Sequence, residues 1–325
     1  MKFKIGISGD LINSNGLPCF GEKSLQQVYD RDDVEIEWMD PEIKQLSKEM
    51  TSRYDAILLN LPKANKECVE GKDCKLKIIS RFGVGYDSVD IKAMKEKNII
   101  VTNTPNAVRR PVAVAALTFV FALSGKLFIK DDLVRSGQWN DRTNHMGFGL
   151  TNKTLGIVGC GSIGTELIKL SINFFEKIIS YDPFVSKKEM INKGAEKVDF
   201  FELAKQSDFV VVLCNLNENT KDLIDKSFFE NMKPTSFFIN MSRGPVVKEN
   251  DLILALEKNI IQGAGLDVMN QEPINQDNKL LSLKNTILTP HALCWTDECF
   301  SEIANEAISS ILNFIDNKPI ENKVN

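Results

Sequence analysis

The sequence predicts an α/β protein built from two doubly wound parallel sheets. Three observations carry that prediction. Apolar runs of strand length alternate with segments of helical period from one end to the other. Several runs are continuously apolar, as strands buried on both faces must be. And the 325-residue chain is long enough for two cores.

The first series of strands is read at Phe3–Ile7, Val34–Trp38, Ala56–Leu59, Lys77–Ser80 and Ile99–Val101. Charged segments from Pro41 to Met50 and from Val89 to Lys97 read as helices between them. A second series begins near Thr154, with strands at Leu155–Val158, Lys177–Tyr181, Phe209–Leu213, Ser236–Asn240, Gln262–Leu266 and Thr286–Thr289. Between the two series, residues 108 to 135 read as one long helical stretch. Its part from Val112 to Leu123 is almost wholly apolar, which predicts a connecting helix that also meets a partner subunit, or else burial inside one chain. A last helix starts after Thr296, a good N-cap, with Asp297 and Glu298 favouring its first turn. Its apolar positions Ile303, Ala307, Ile311 and Phe314 suggest that it packs back on the first domain. The expected division is 1–103 with 292–325 as one domain, and 104–291 as the other. As the chain runs only a short way past the last helix, no appended regulatory domain is expected.

Composition narrows the function. A net charge of -4 with 43% apolar and 26% charged residues argues against nucleic acid or an anionic membrane surface as partner. No apolar run approaches the ~20 residues of a membrane span. The N-terminus reads as a first strand and not as a signal peptide. Seven cysteines, at spacings that match no zinc or disulfide framework, point to reduced thiols in the cytoplasm and to no metal site.

Gly159-Cys160-Gly161-Ser162-Ile163-Gly164 follows an apolar strand and opens a helix-period segment. Gly159 permits the tight turn, Gly161 lets a pyrophosphate approach the backbone, and Gly164 permits close helix–strand packing. The helix start near Ser162 and Ile163 presents unpaired N–H groups to the phosphates. Asp182 ends the next strand, 18 positions after Gly164, about where a carboxylate binds the adenosine ribose. It would repel a 2′-phosphate, so the expected cofactor is NAD, although Lys187 and Lys188 lie close by.

Three residues then supply what hydride transfer to a 2-oxo acid requires. Arg243, aimed by the turn at Gly244-Pro245, offers a fork that matches a carboxylate. His291, just past a strand end, can donate or accept a proton near neutral pH. Glu272, in the loop ahead of that strand, could fix the imidazole tautomer. His145, with no acidic partner motif around it, is assigned to structure, and Cys294 near His291 to burial.

Together these segments resemble the D-isomer-specific 2-hydroxyacid dehydrogenases, the group of phosphoglycerate, glycerate and hydroxypyruvate enzymes. The matching stretches are Arg81 to Asp87, Asn103 to Asn106, Gly159 to Gly164, Asn240 to Gly244, Gly265 to Val268, Glu272-Pro273 and Thr289 to His291. The resemblance implies a Rossmann NAD-binding domain plus a flavodoxin-like substrate domain, with the active site in the cleft, and a homodimer joined through the long apolar stretch. It implies that Arg243, Glu272 and His291 are catalytic and that Asp267 holds the nicotinamide carboxamide. Backbone at Val84 and Gly85 would bind the substrate carboxylate, with Arg81 assisting. The implied reaction interconverts a D-2-hydroxy acid and its 2-oxo acid, on phosphoglycerate or on hydroxypyruvate and glyoxylate. The chain departs from the pattern at Val114, Leu213, Asn215 and Trp295, and Trp295 could line the substrate pocket. Rival readings are an NAD-sensing corepressor-like protein on the same fold and a formate-dehydrogenase-like or phosphite-oxidising enzyme that uses NAD. Glu272 argues against the formate enzyme.

Overall fold

The computed structural model describes residues 2–325. The chain forms two compact units. One comprises residues up to Val108 together with Trp295–Asn325, and the other comprises Arg109–Cys294.

The first unit holds a five-stranded parallel sheet: β1 (Phe3–Ile7), β2 (Val34–Trp38), β3 (Ala56–Leu59), β4 (Ile78–Arg81) and β5 (Ile100–Thr102). Their order is β2-β1-β3-β4-β5, a doubly wound arrangement of flavodoxin type. The central β3 is buried at every position, which is why it reads as an unbroken apolar run. The short helices α1 (Gln26–Tyr29), α2 (Lys48–Arg53) and α3 (Ile91–Glu96) connect the strands. The helix expected over 41–50 is only partly there. Residues 44 to 46 run extended beside Lys63: Leu46 donates to the Lys63 carbonyl at 2.8 Å and Lys63 to that of Lys44 at 2.9 Å. Backbone pairing with a neighbour overrides helix propensity here, and the helix starts after Ser47, whose hydroxyl accepts from the Met50 N–H.

The second unit opens with α4 (Arg109–Gly125) and α5 (Leu127–Arg135). Its sheet comprises β6 (Thr154–Val158), β7 (Lys177–Tyr181), β8 (Glu196–Lys197), β9 (Phe209–Val212), β10 (Phe237–Asn240), β11 (Gly263–Leu266) and β12 (Thr286–Leu288). The order β12-β11-β10-β9-β6-β7-β8 is all parallel and reverses direction between β9 and β6, the switch point of a Rossmann sheet. Helices α6 (Ser162–Ser171), α7 (Lys187–Lys193), α8 (Phe200–Gln206), α9 (Lys226–Asn231) and α10 (Glu249–Glu257) complete it. The two-residue edge strand β8 raises the six expected strands to seven.

The stretch read as one helix is two. Lys126 takes a left-handed φ of 50°, and the Ser124 carbonyl accepts from the Phe148 N–H at 2.8 Å, which ends α4. Most of the apolar segment is buried inside the chain: Ala113, Ala116, Phe119 and Val120 sit in the sheet's core. Among the described residues no single helix is long and apolar enough to cross a membrane, and α4 with α5 reaches that length only as a pair bent by 56°.

The last helix, α11 (Asp297–Ile315), belongs to the first unit. The Thr296 hydroxyl accepts from the Cys299 N–H at 3.1 Å, the cap read from sequence. Ser80 on β4 donates to the Ala307 carbonyl at 2.9 Å, so the helix lies on the five-stranded sheet. Residues Lys323 and Val324 then pair with Thr102 and Val101 along the β5 edge, covering backbone groups that would otherwise be unpaired.

Gly265 in β11 shows how closely α4 packs. A Cβ there would stand 2.7 Å from the Phe119 ring. Gly265→Ala should therefore cost about 1–3 kcal/mol through forced displacement of that ring. Urea denaturation monitored by circular dichroism measures it, and wild-type stability in the variant would remove Phe119 from that position.

Candidate active site

The glycine turn after β6 is built from three different constraints. Gly159 has a φ of 96°, and a Cβ on it would lie 2.7 Å from the Cys214 backbone nitrogen. A Cβ on Gly164 would lie 2.4 Å from the Gly159 carbonyl oxygen. Gly161 is different: a Cβ there meets nothing within 4 Å. Protein packing does not demand a glycine at that position, whereas close approach of a ligand to the backbone does. Ser162 and Ile163 begin α6, where the first N–H groups have no partner within the helix. The Asp182 carboxylate at the end of β7 accepts from the Cys160 N–H at 2.8 Å through one oxygen and from the Phe184 N–H at 2.9 Å through the other. It thus ties the glycine turn to the neighbouring strand end, a bond that spacing alone does not reveal. An open phosphate cradle, a helix start and a fixed carboxylate beside it fit a dinucleotide.

Arg243 follows β10 by three residues. Asn240 donates to its carbonyl at 3.1 Å, and its own guanidinium donates to the Ser242 carbonyl at 2.8 Å. The next residue must be glycine, because a Cβ on Gly244 would overlap the Met269 carbonyl at 2.0 Å. That close approach brings the turn after β10 against the loop after β11. There Glu272 accepts from the Met269 N–H at 3.0 Å through Oε1, and its Oε2 lies 2.8 Å from His291 Nδ1. Burial pushes the Glu272 carboxyl upward, but the His291 hydrogen bond and charge, the Met269 N–H and the Arg243 charge outweigh it, and the group ends below its ordinary range. An ionised carboxylate can only accept, so His291 Nδ1 carries the proton and Nε2 is left to exchange one.

His291 itself stands at φ 55°, in the left-handed region. Asp267 holds the turn in that shape. The carboxylate is 2% exposed, and its Oδ1 accepts from Thr289 Oγ1 at 2.5 Å, from Ala292 N–H at 3.0 Å and from Leu293 N–H at 3.1 Å. Burial raises the Asp267 carboxyl from its ordinary value, opposed by these three bonds and by the His291 charge. Asp267 therefore positions the histidine turn, alongside any contact with a cofactor.

Arg243, Glu272, His291 and Asp267 thus come together in one unit, and Asp182 joins Gly159 to Gly164 in the same unit. The other expected site residues belong to the first unit. Arg81 ends β4, and Val84 and Gly85 follow in a turn held by Asn103 Nδ2 donating to the Val84 carbonyl at 2.9 Å and by the Gly83 N–H donating to Thr104 Oγ1 at 3.0 Å. Trp295 packs against Phe300 with ring centres 4.9 Å apart. His145 does have an acidic neighbour, contrary to expectation: its Nε2 lies 3.0 Å from Asp141 Oδ2, one helical turn back.

Residues 117–292 match the family described as D-isomer specific 2-hydroxyacid dehydrogenase, NAD binding domain. A glyoxylate reductase of Thermococcus litoralis is 36% identical over 95% of this chain and 94% of its own length. The chain belongs to the D-isomer-specific 2-hydroxyacid dehydrogenases. A D-3-phosphoglycerate dehydrogenase of Archaeoglobus fulgidus is 34% identical over 84% of this chain, which spans about half (52%) of that longer protein. The crystal structure of D-lactate dehydrogenase from Aquifex aeolicus, complexed with NAD and lactic acid, superimposes with a TM-score of 0.85 at 23% identity, over 99% of this chain and 98% of that one. It shares the fold. This family member is an NAD-dependent oxidoreductase that interconverts a 2-hydroxy acid and a 2-oxo acid.

The Glu272–His291 pair has a pH signature. A carboxyl lowered on folding adds stability above its unfolded value, near 4.5, and loses it as pH falls through the lower folded value. Both side chains are about two-fifths exposed (39% and 42%), so the effect is modest. The difference in Tm between wild type and Glu272→Gln should be present at pH 6 and shrink as pH falls below about 4.5. A difference that widens toward acid would contradict the pairing.

Proposed function

We propose that this dehydrogenase reduces a short 2-oxo acid of the glyoxylate or hydroxypyruvate type, with Arg243, Glu272 and His291 as its reacting side chains. The carrying observation is the 2.8 Å contact of Glu272 with His291 Nδ1 beside the turn that holds Arg243. The near full-length likeness to a glyoxylate reductase supports the substrate class. Bound NADH supplies the hydride for the carbonyl carbon. Arg243 binds the substrate carboxylate and polarises the carbonyl oxygen, where negative charge develops as the hydride arrives. His291 gives that oxygen its proton from Nε2. Glu272 keeps the ring in the required tautomer. Backbone N–H groups at Val84 and Gly85, with Arg81, are the substrate-binding groups of the first unit on this reading, and Trp295 is a further candidate for lining the substrate's side chain. Gly159, Gly161, Ser162, Ile163 and Gly164 cradle the pyrophosphate. Asp182 accepts from the ribose hydroxyls and repels a 2′-phosphate, which favours NAD over NADP. Asp267 binds the carboxamide in addition to holding the turn. The expected site is the cytoplasm, supported by the cysteine count and spacing.

A homodimer completes this reading. Leu127 and Phe128 at the start of α5 are 58% and 59% exposed. They border a cavity of about 420 Å³ between α4, α5 and the β12 side of the sheet, lined also by Ala122, Phe237, Leu283 and Ile287. Clustered apolar surface of this kind marks an interface, and a second copy of the chain is its occupant.

His291→Ala should lower turnover by about two to four orders of magnitude, the usual share of general acid–base catalysis, while NADH affinity stays. The assay is NADH oxidation over glyoxylate, hydroxypyruvate, phosphohydroxypyruvate and larger 2-oxo acids. Near-normal turnover in the variant would remove His291 from its role. Light scattering should give twice the 36.5 kDa chain mass, and Leu127→Asp with Phe128→Asp should shift it toward one chain. A wild-type monomer at micromolar concentration rejects the dimer.

A further inference from the structure

The carboxyl ends of β1, β3 and β4 lie side by side, and each carries one polar residue that the reaction described above does not explain in full. Asp10 lies three residues past β1, Asn60 directly follows β3, and Arg81 ends β4. They form one chain of hydrogen bonds. Asn60 Nδ2 donates to Asp10 Oδ2 at 2.5 Å, and Asn60 Oδ1 accepts from Arg81 Nη1 at 3.3 Å. Asn60 itself is buried, and its backbone N–H donates to Ser8 Oγ at 3.0 Å. Arg81 Nη1 also donates to the Phe82 carbonyl. The guanidinium lies over the next turn, where a Cβ on Gly83 (φ 123°) would be 3.4 Å from Nη1.

One atom in this chain stands out. Asp10 Oδ1 is buried and has no hydrogen-bond partner among the described residues. A carboxylate oxygen in that state has its charge neither screened by water nor spread over donors, so its field reaches its neighbours. Burial pushes the nearby Cys19 thiol up to about 11, and the Asp10 charge adds a smaller push in the same direction. The sheet edge thus pairs one cation with one incompletely neutralised anion, separated by a single amide.

We infer that Asp10, acting through Asn60, sets substrate charge selectivity: it holds Arg81 for a monoanionic 2-oxo acid and disfavours one that carries a further phosphoryl group. Arg81 alone would welcome a phosphate, since a guanidinium fork matches phosphate as well as carboxylate. Here one of its amino groups is already shared between the Asn60 and Phe82 carbonyls, and a phosphate dianion brought to it enters the field of Asp10. A substrate with an uncharged third carbon meets no such repulsion. Asp10 is a positioning residue in this account and touches no reacting atom. The inference rests on the 2-oxo acid reduction proposed above and names which members of that class the site accepts.

The test is the ratio of kcat/KM for hydroxypyruvate to that for phosphohydroxypyruvate, with NADH, in the full chain and in Asp10→Asn. The substitution keeps the shape and removes the charge. Wild type should prefer hydroxypyruvate at least a hundredfold. Asp10→Asn should narrow that preference at least tenfold, chiefly by lowering KM for the phosphorylated substrate and not by raising kcat. A wild-type preference for phosphohydroxypyruvate, or an unchanged ratio in a folded variant, overturns the inference. Should the variant fail to fold, product inhibition of wild type decides. 3-Phosphoglycerate should bind at least tenfold more weakly than D-glycerate, and equal or tighter binding overturns the inference. Turnover of glyoxylate with an unchanged ratio would sink this inference alone. No NADH oxidation with any 2-oxo acid would sink the proposed reaction, and this inference with it.

Discussion

A buried carboxylate decides where the imidazole of this enzyme stands. Asp267 gathers a hydroxyl and two backbone N–H groups of the 289–293 segment onto a single oxygen, and the residue inside that loop of bonds is His291, in a left-handed conformation that a non-glycine residue adopts only under constraint. The arrangement makes sense only as a unit. Without the three donors, a carboxylate 2% exposed would be a costly buried charge. Without the carboxylate, the backbone of the turn would keep only the His291 N–H donating to the Thr289 carbonyl at 3.0 Å against a conformation that costs of order 1–3 kcal/mol. The imidazole is then fixed from its other side by Glu272, so both its position and its tautomer are set before any ligand binds.

The glycines of the second sheet serve the same end by letting backbones touch. Gly244 lies against Met269 where no Cβ fits, and this contact carries Arg243 to the loop that holds Glu272. Gly265 lies under Phe119 and seats α4 on β11, the strand that delivers Asp267. Each contact converts strand pairing, which is regular and strong, into placement of a side chain at a strand's carboxyl end. Gly161, unlike Gly244 and Gly265, has open space where its side chain would be, as close approach of a ligand to the backbone requires.

What the sequence made legible follows from burial. Strands covered on both faces are continuous apolar runs, and the sequence reading places these to within a residue, as Ala56–Leu59 and Phe209–Val212 show. The elements that were misjudged are those decided by tertiary contacts. The 41–50 segment has the charge pattern of a helix, but Lys63 draws part of it into extended pairing. The two-residue β8 is too short to leave a period. An apolar helix face looks the same whether a sheet or another subunit covers it, and for Phe119 the sheet does. In the site, Arg243, Glu272 and His291 were legible because each follows or precedes a strand in a recognisable turn. Asp10 and Asn60 were not, since two isolated polar residues fifty positions apart announce nothing until adjacent strands bring them together. Asp141 was missed for a lesser reason: its position four before His145 was readable as a helical pair.

The two arginines at the carboxyl ends of strands show a shared solution to one difficulty. A free guanidinium has about 2 kcal/mol of rotamer entropy to lose before it can hold a small anion in a defined pose. Arg81 donates to the carbonyl of the residue after it, and Arg243 to that of the residue before it. Each bond fixes the fork while occupying only part of its five donors. The difference lies in what stands next. Arg243 faces a carboxylate that is engaged by His291 and by the Met269 N–H, so its charge is balanced within a satisfied network. Arg81 is balanced, through one amide, by a carboxylate with an oxygen that no donor among the described residues reaches. On the proposed reading both arginines are anion sites, and the neighbouring carboxylate is what distinguishes them: engaged on both oxygens beside Arg243, engaged on one beside Arg81.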